Sequence, residues 1–84
     1  MNSRQRKTLA AIFTDPVPSS IAWADIESLL KAVGCAVKGG KGSHVQFERG
    51  GQRAAFARPH PGKEAKRYQV RDARAFLERI GIKP

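Results

Sequence analysis

Apolar residues recur at steps of three and four in three stretches of the chain. Trp23, Ile26, Leu29, Leu30 and Val33 mark one face of a helix over about residues 22–33, and Gly34 stands where a helix closes on a left-handed residue. The same spacing in Val70, Ala73, Phe76, Leu77 and Ile80, followed by Gly81, predicts a second amphipathic helix near the end of the sequence. A shorter stripe of Leu9, Ile12 and Phe13 predicts an N-terminal helix capped by Ser3, which Pro16 and Pro18 stop before a linker through Ser20. In the middle the period falls to two. Cys35 to Lys38, Ser43 to Arg49 and Gln52 to Arg58 are short alternating runs, broken by glycines at 39, 40, 42, 50 and 51. They read as three antiparallel strands, with Gly50-Gly51 suited to a two-residue hairpin whose favoured turns need positive φ.

Helix, three-stranded meander and helix imply an α+β layer in which both helices cover one sheet face and the other face meets water. Parity assigns the side chains, because successive strand residues point to opposite sides. Val45, Phe47, Ala54 and Phe56 go to the core. His44, Gln46, Glu48, Arg53, Ala55 and Ala57 then point to the open face.

Length and charge narrow the partners. A chain of 84 residues buries only roughly 60 to 65% of its unfolded surface, enough for one thin core and not for a large internal cavity. The formal net charge is +9, which points to a polyanion, either nucleic acid or an acidic protein. Residues 1–34 carry four basic and three acidic side chains, residues 35–67 eight and two, and residues 68–84 four and two, so the basic footprint lies in the middle. A single cysteine, Cys35, excludes an intrachain disulfide and reads as a small buried hydrophobe. No run of 18 apolar residues is present to span a membrane. The opening segment has too short an apolar stretch, Leu9 to Phe13, for a signal peptide. A cytoplasmic protein without membrane contact is expected.

Lys41-Gly42-Ser43-His44-Val45-Gln46-Phe47, a short hairpin, Pro59-His60-Pro61 and a final helix ending Ile80-Gly81-Ile82 follow one another in order. That ordered set resembles the HicA toxin family over roughly residues 22–84. The resemblance implies a fold like that of double-stranded-RNA-binding domains, ribonuclease activity on messenger RNA, and neutralisation by a HicB-like antitoxin. It places His44 at the family's catalytic histidine and Lys41 with Ser43 in the loop leading to it. His60 and Pro61 match the family's His-Pro after the last strand. Residues 1–21 form an extension outside the resemblance, serving either as an extra packing helix or as a contact for the antitoxin. The stretch from Gly62 to Arg67 is more basic than the family pattern requires.

Composition alone would leave His44 as a solvated strand histidine; the resemblance favours catalysis. An imidazole exchanges protons near neutral pH, which RNA cleavage requires. The ribose 2′-hydroxyl is an internal nucleophile, so the protein need only move protons and stabilise the phosphorane charge. Lys41 and either Arg53 or Arg58 are the candidate sources of positive charge. Glu48 lies about 13 Å from His44 along the same strand face, too far to orient it. Between residues 35 and 67 the only carboxylates are Glu48 and Glu64, too few for a two-metal site, so no metal and no cofactor are expected.

The remaining candidates concern binding. Gly39-Gly40-Lys41-Gly42-Ser43 lacks the spacing of a nucleotide phosphate loop and leads into a strand; it reads as a turn or a backbone contact to RNA phosphate. His60, held between two prolines, reads first as a conformational feature and second as a substrate contact. Lys63, Lys66, Arg67, Arg71 and Arg74 read as a phosphate-binding surface rather than a merely solvated one. Trp23, Phe47, Phe56 and Phe76 lie on apolar stripes and belong to the core. The sequence thus predicts an antitoxin-controlled, metal-independent endoribonuclease acting through His44. The alternatives are a non-catalytic RNA-binding module of the same fold and an interaction protein whose basic face serves an acidic partner.

Overall fold

The computed structural model describes residues 1–39, 43–60 and 62–84. Its elements run α1 (Ser3–Ile12), α2 (Trp23–Ala32), β1 (Ala36–Gly39), β2 (His44–Arg49), β3 (Gln52–Ala57) and α3 (Arg67–Arg79). The strands form one antiparallel sheet in the order β1-β2-β3. The architecture is the expected α+β fold of the double-stranded-RNA-binding type, with an additional N-terminal helix.

Glycines and caps set the boundaries. Gly34 and Gly81 adopt φ of 90° and 79°. After α2, the Gly34 N–H donates to the Lys31 carbonyl and the Cys35 N–H to the Leu30 carbonyl, both at 3.1 Å. After α3, Gly81 donates to Glu78 at 3.1 Å and Ile82 to Leu77 at 2.9 Å. Each pair of bonds satisfies carbonyls that a helix end would otherwise leave bare, and it folds an apolar residue, Cys35 or Ile82, back onto the core. Gly50 and Gly51 take φ of 57° and 79°, the pair of positive values that matches a hairpin turn to strand twist. The cap of α1 differs from expectation. Asn2, not Ser3, accepts from the Gln5 N–H at 2.8 Å, while the Gln5 side chain accepts from the Asn2 N–H at 2.9 Å, a reciprocal box that leaves Ser3 as the first helical residue.

Parity behaves as expected on β2 and β3. Val45, Phe47 and Phe56 are buried beneath the helices, with Phe47 fully inaccessible. The Phe56 ring packs between Trp23 of α2 and Phe47, with centroids 5.1 and 6.1 Å apart. Coverage ends at β1. Val37 pairs with Phe47 and so shares its face, yet it is 39% exposed because the helices lie over the other two strands.

The N-terminal extension is built into the core. Leu9 and Ile12 are buried with Ile26, Leu29, Leu30 and Phe76 in one apolar cluster. Polar contacts fasten the start of α1. Arg4 Nε donates to Asp25 at 2.8 Å and Gln5 to the Ser28 hydroxyl at 2.9 Å. Beyond α1, Asp15 receives Arg74 Nη1 at 3.1 Å, and the same guanidinium lies over the Phe13 ring. Packing is therefore a demonstrated role of this helix. Arg74, read above as part of a phosphate-binding surface, is committed instead to that contact.

Candidate functional site

The sheet register decides what surrounds His44. On β3 it faces Ala57, Gln46 faces Ala55, and Glu48 faces Arg53. On β1, Lys38 faces Gln46 and Ala36 faces Glu48. His44 is exposed at one end of the open face, and the positions beside it carry the small side chains of Ala55 and Ala57. Exposed strand positions ordinarily favour larger β-branched or aromatic residues. Alanine here leaves the imidazole unshielded and the adjoining floor low.

The charged groups of this face collect at its other end. Glu48 Oε2 lies 3.0 Å from Arg53 Nε and 3.7 Å from Lys38 Nζ, an ionic cluster in which no N–H is aligned on that oxygen. Arg53 therefore points to the open face as expected, but it stands four strand positions from the residue opposite His44, about 13 Å away, and is engaged by Glu48.

Arg58 is turned the other way. Its N–H donates to the Ser43 carbonyl at 2.8 Å, which extends the β2–β3 ladder by one step and puts its side chain on the helix side. There Arg58 Nε donates to Glu27 at 2.7 Å, and the Trp23 indole N–H donates to the same carboxylate. Burial pushes the Glu27 carboxyl up, but the bonds from Arg58 and Trp23, with the charges of Arg58 and Lys31, outweigh it and hold it below the usual carboxylate value. The structure thus brings neither of the two expected arginines beside His44. Lys41, the other expected cation, lies outside the described residues, as do Gly40, Gly42 and Pro61.

Other basic residues do gather at the His44 end of the sheet. The first turn of α3 is held there by Gln69, whose amide nitrogen donates to the carbonyl of Ala57, the residue opposite His44, at 2.6 Å. The same side chain accepts from the Lys66 N–H at 3.0 Å. Gln69 is 2% exposed and is the joint between α3 and β3. The preceding loop is pinned to the start of α2: Trp23 N–H donates to Lys63 at 2.9 Å and Ala65 N–H to Ile21 at 2.8 Å. These bonds place Ser43, His44, His60, Lys63, Lys66 and Arg67, all exposed, on segments that converge around one end of the domain. Among the described residues, Lys63, Lys66 and Arg67 form no ion pair, unlike Arg53 and Arg58.

Sequence reasoning did not single out Gln69, Glu27 or Tyr68. Gln69 had a signal: a glutamine three positions after a helix start can bond back to the N-cap. The Glu27–Arg58 pair had none, because its partners are separated by 31 positions. Among the described residues no group of three or more His, Cys, Asp or Glu side chains lies within reach of a common metal ion. Cys35 is buried, and burial pushes its thiol up, away from reactivity. No described helix is long and apolar enough to cross a membrane.

No curated protein and no solved structure matches the chain. A family model described as the HicA toxin of bacterial toxin-antitoxin matches residues 23–82, from the first residue of α2 to the apolar residue that closes α3, and leaves α1 outside. With that match spanning most of its length, the chain belongs to the HicA toxin family of bacterial toxin-antitoxin systems.

Proposed function

We propose that this toxin is a metal-independent endoribonuclease that cleaves messenger RNA with His44 as general acid or base. The observation that carries this reading is an exposed imidazole on an uncovered sheet face, flanked by alanines, at the end of the strands where the basic segment before α3 begins. RNA supplies its own nucleophile. The 2′ oxygen attacks the adjacent phosphorus, the bond from phosphorus to the 5′ oxygen breaks, and His44 removes the 2′ proton or delivers one to the leaving oxygen. The developing phosphorane charge is met by Lys41 and Ser43, which precede His44 in the sequence, and by His60, Lys63, Lys66 and Arg67, which follow β3. Arg53 and Arg58 support the sheet instead, through Glu48 and Glu27.

Cleavage of a long RNA in excess chelator tests the chemistry. The expected products carry 2′,3′-cyclic phosphate and 5′-hydroxyl ends, and DNA is spared. A divalent-metal requirement or cutting of a deoxy substrate contradicts the mechanism. Binding without any cleavage supports the RNA-binding module instead.

The partner is a HicB-like antitoxin acting in the cytoplasm, which covers the open face around His44 and excludes RNA. A standard interface of about 800 Å² per partner would occupy much of that face. Hydrogen exchange should show residues 43–58 gaining protection on antitoxin binding, with RNA and antitoxin competing. Protection confined to residues 1–21, with RNA still bound, would make α1 the docking element and contradict occlusion.

A further inference from the structure

Among the described residues, Tyr68 is the one Phe, Tyr or Trp whose ring lies mainly in water. It is 54% exposed, whereas Trp23, Phe47, Phe56 and Phe76 are buried and Phe13 is partly covered by Arg74. Its position explains the exposure. Val70, Ala73, Phe76 and Leu77 form the buried stripe of α3, and Tyr68 falls on the opposite side. Among the described residues its hydroxyl makes no hydrogen bond, so neither packing nor polar bonding within the fold accounts for the ring.

Its company is cationic. From residue 63 to residue 71 the chain carries Lys63, Lys66, Arg67 and Arg71 against a single carboxylate, Glu64. Arg71 stands three positions after Tyr68, on the same helix face, and Arg67 adjoins it. All four cations are exposed, and none forms an ion pair among the described residues. The adjoining Gln69 bonds to the carbonyl of Ala57, the residue opposite His44, so the start of α3 lies at the His44 end of the strands, with Tyr68 on the helix layer and His44 on the open sheet face.

We propose that Tyr68 is a stacking platform for one nucleobase of single-stranded RNA, with Arg67 and Arg71 holding the flanking phosphates. This rests on the RNA-cleaving reading and adds to it a subsite away from the cut. A protein partner would be expected to use an aromatic anchor within an apolar surround. Here the ring is set among charges, with Asp72 and Ala75 as its other outward neighbours on the helix. A lone ring with adjacent guanidinium groups suits a base and its phosphates, because every base presents a π-face and every linkage a charge.

The test is equilibrium binding in a full-length His44→Ala background, so that the RNA survives. The probes are a labelled mixed-sequence single-stranded RNA and an abasic oligomer of the same length. Tyr68→Ala should weaken binding to the base-bearing RNA on the order of tenfold, Tyr68→Phe should bind as the parent does, and the abasic oligomer should not distinguish the three. Tyr68→Ala should leave the salt dependence unchanged, while Arg71→Gln should flatten it by about 0.7 in log-log slope. Equal binding by Tyr68→Ala and parent, or an equal loss on the abasic oligomer, overturns the stacking role while leaving the RNA reading intact. Unchanged RNA affinity with weakened antitoxin binding overturns it in favour of a protein contact. A parent that binds neither probe removes the RNA reading itself, and this subsite with it.

Discussion

The two faces of the sheet use the same strands for opposite purposes. On the helix side, polar groups of the described residues that reach inward are tied to partners: Arg58 to Glu27, Gln69 to the Ala57 carbonyl, and Arg49 to the Ile80 carbonyl at 3.3 Å. On the open side, Glu48 pairs with both Lys38 and Arg53 at one end, while His44 stands beside alanines at the other. A small domain has little stability to spare, and an unpartnered polar group costs least where water can reach it. The covered face therefore holds the fold, and the proposed chemistry belongs to the open one.

Substitutions separate the two roles, beginning with the largest expected effect. Phe47 is fully buried beneath the helices and touches Phe56. Phe47→Ala should cost about 3–5 kcal/mol, a large part of the stability of a domain this size, and chemical denaturation should show a protein close to unfolding. A loss below about 1 kcal/mol would mean that the central strand is not the core element described.

Gln69→Leu should cost less, about 1–3 kcal/mol, because it leaves the Ala57 carbonyl and the Lys66 N–H without their partner. Its signature is local. Hydrogen exchange should rise at the start of α3 and the end of β3 before the rest of the domain. Uniform exchange would deny Gln69 its role as a joint.

The Glu27 pair contributes less still, and its pH dependence has a definite sign. Its carboxyl is held below the ordinary value of 4.5 in the folded protein. A lowered folded value gives stability that is complete above the unfolded value and is lost as pH falls through the folded one. Melting temperatures of the parent and Glu27→Gln should differ at neutral pH and converge on acidification below about 4.5. Divergence in acid would contradict the pairing. Ala57→Phe should change stability least, because the site is exposed and aromatic residues suit strands. It should nevertheless depress cleavage by crowding the space beside His44. Full activity in that variant would show that RNA does not use this floor.

Much of this arrangement was legible in the residue pattern. The 3.6-residue spacing of Trp23, Ile26, Leu29 and Leu30, and the two-residue alternation through Val45, Phe47 and Phe56, report burial directly, so both elements and strand parity followed. Parity alone sent His44 to the open face. What the pattern did not carry was long-range pairing. Arg53 and Arg58 differ by five positions, an odd number, and so fall on opposite faces, but that Glu48 and Glu27 claim them depends on register and helix packing. The integration of α1 was equally hidden, since Leu9 and Ile12 announce a buried stripe without saying against what. Asn2 displaced Ser3 as the cap because its partner, Gln5, lies three residues on and bonds back.

The central claim is that the open face performs the chemistry through His44 without contributing to the fold. Thermal melting and RNA cleavage measured together on parent and His44→Ala test it most directly. The account predicts superimposable melts, because an exposed strand residue has little packing to lose, and abolition of cleavage. A variant that still cuts RNA at the parent's rate while melting at the same temperature would contradict it.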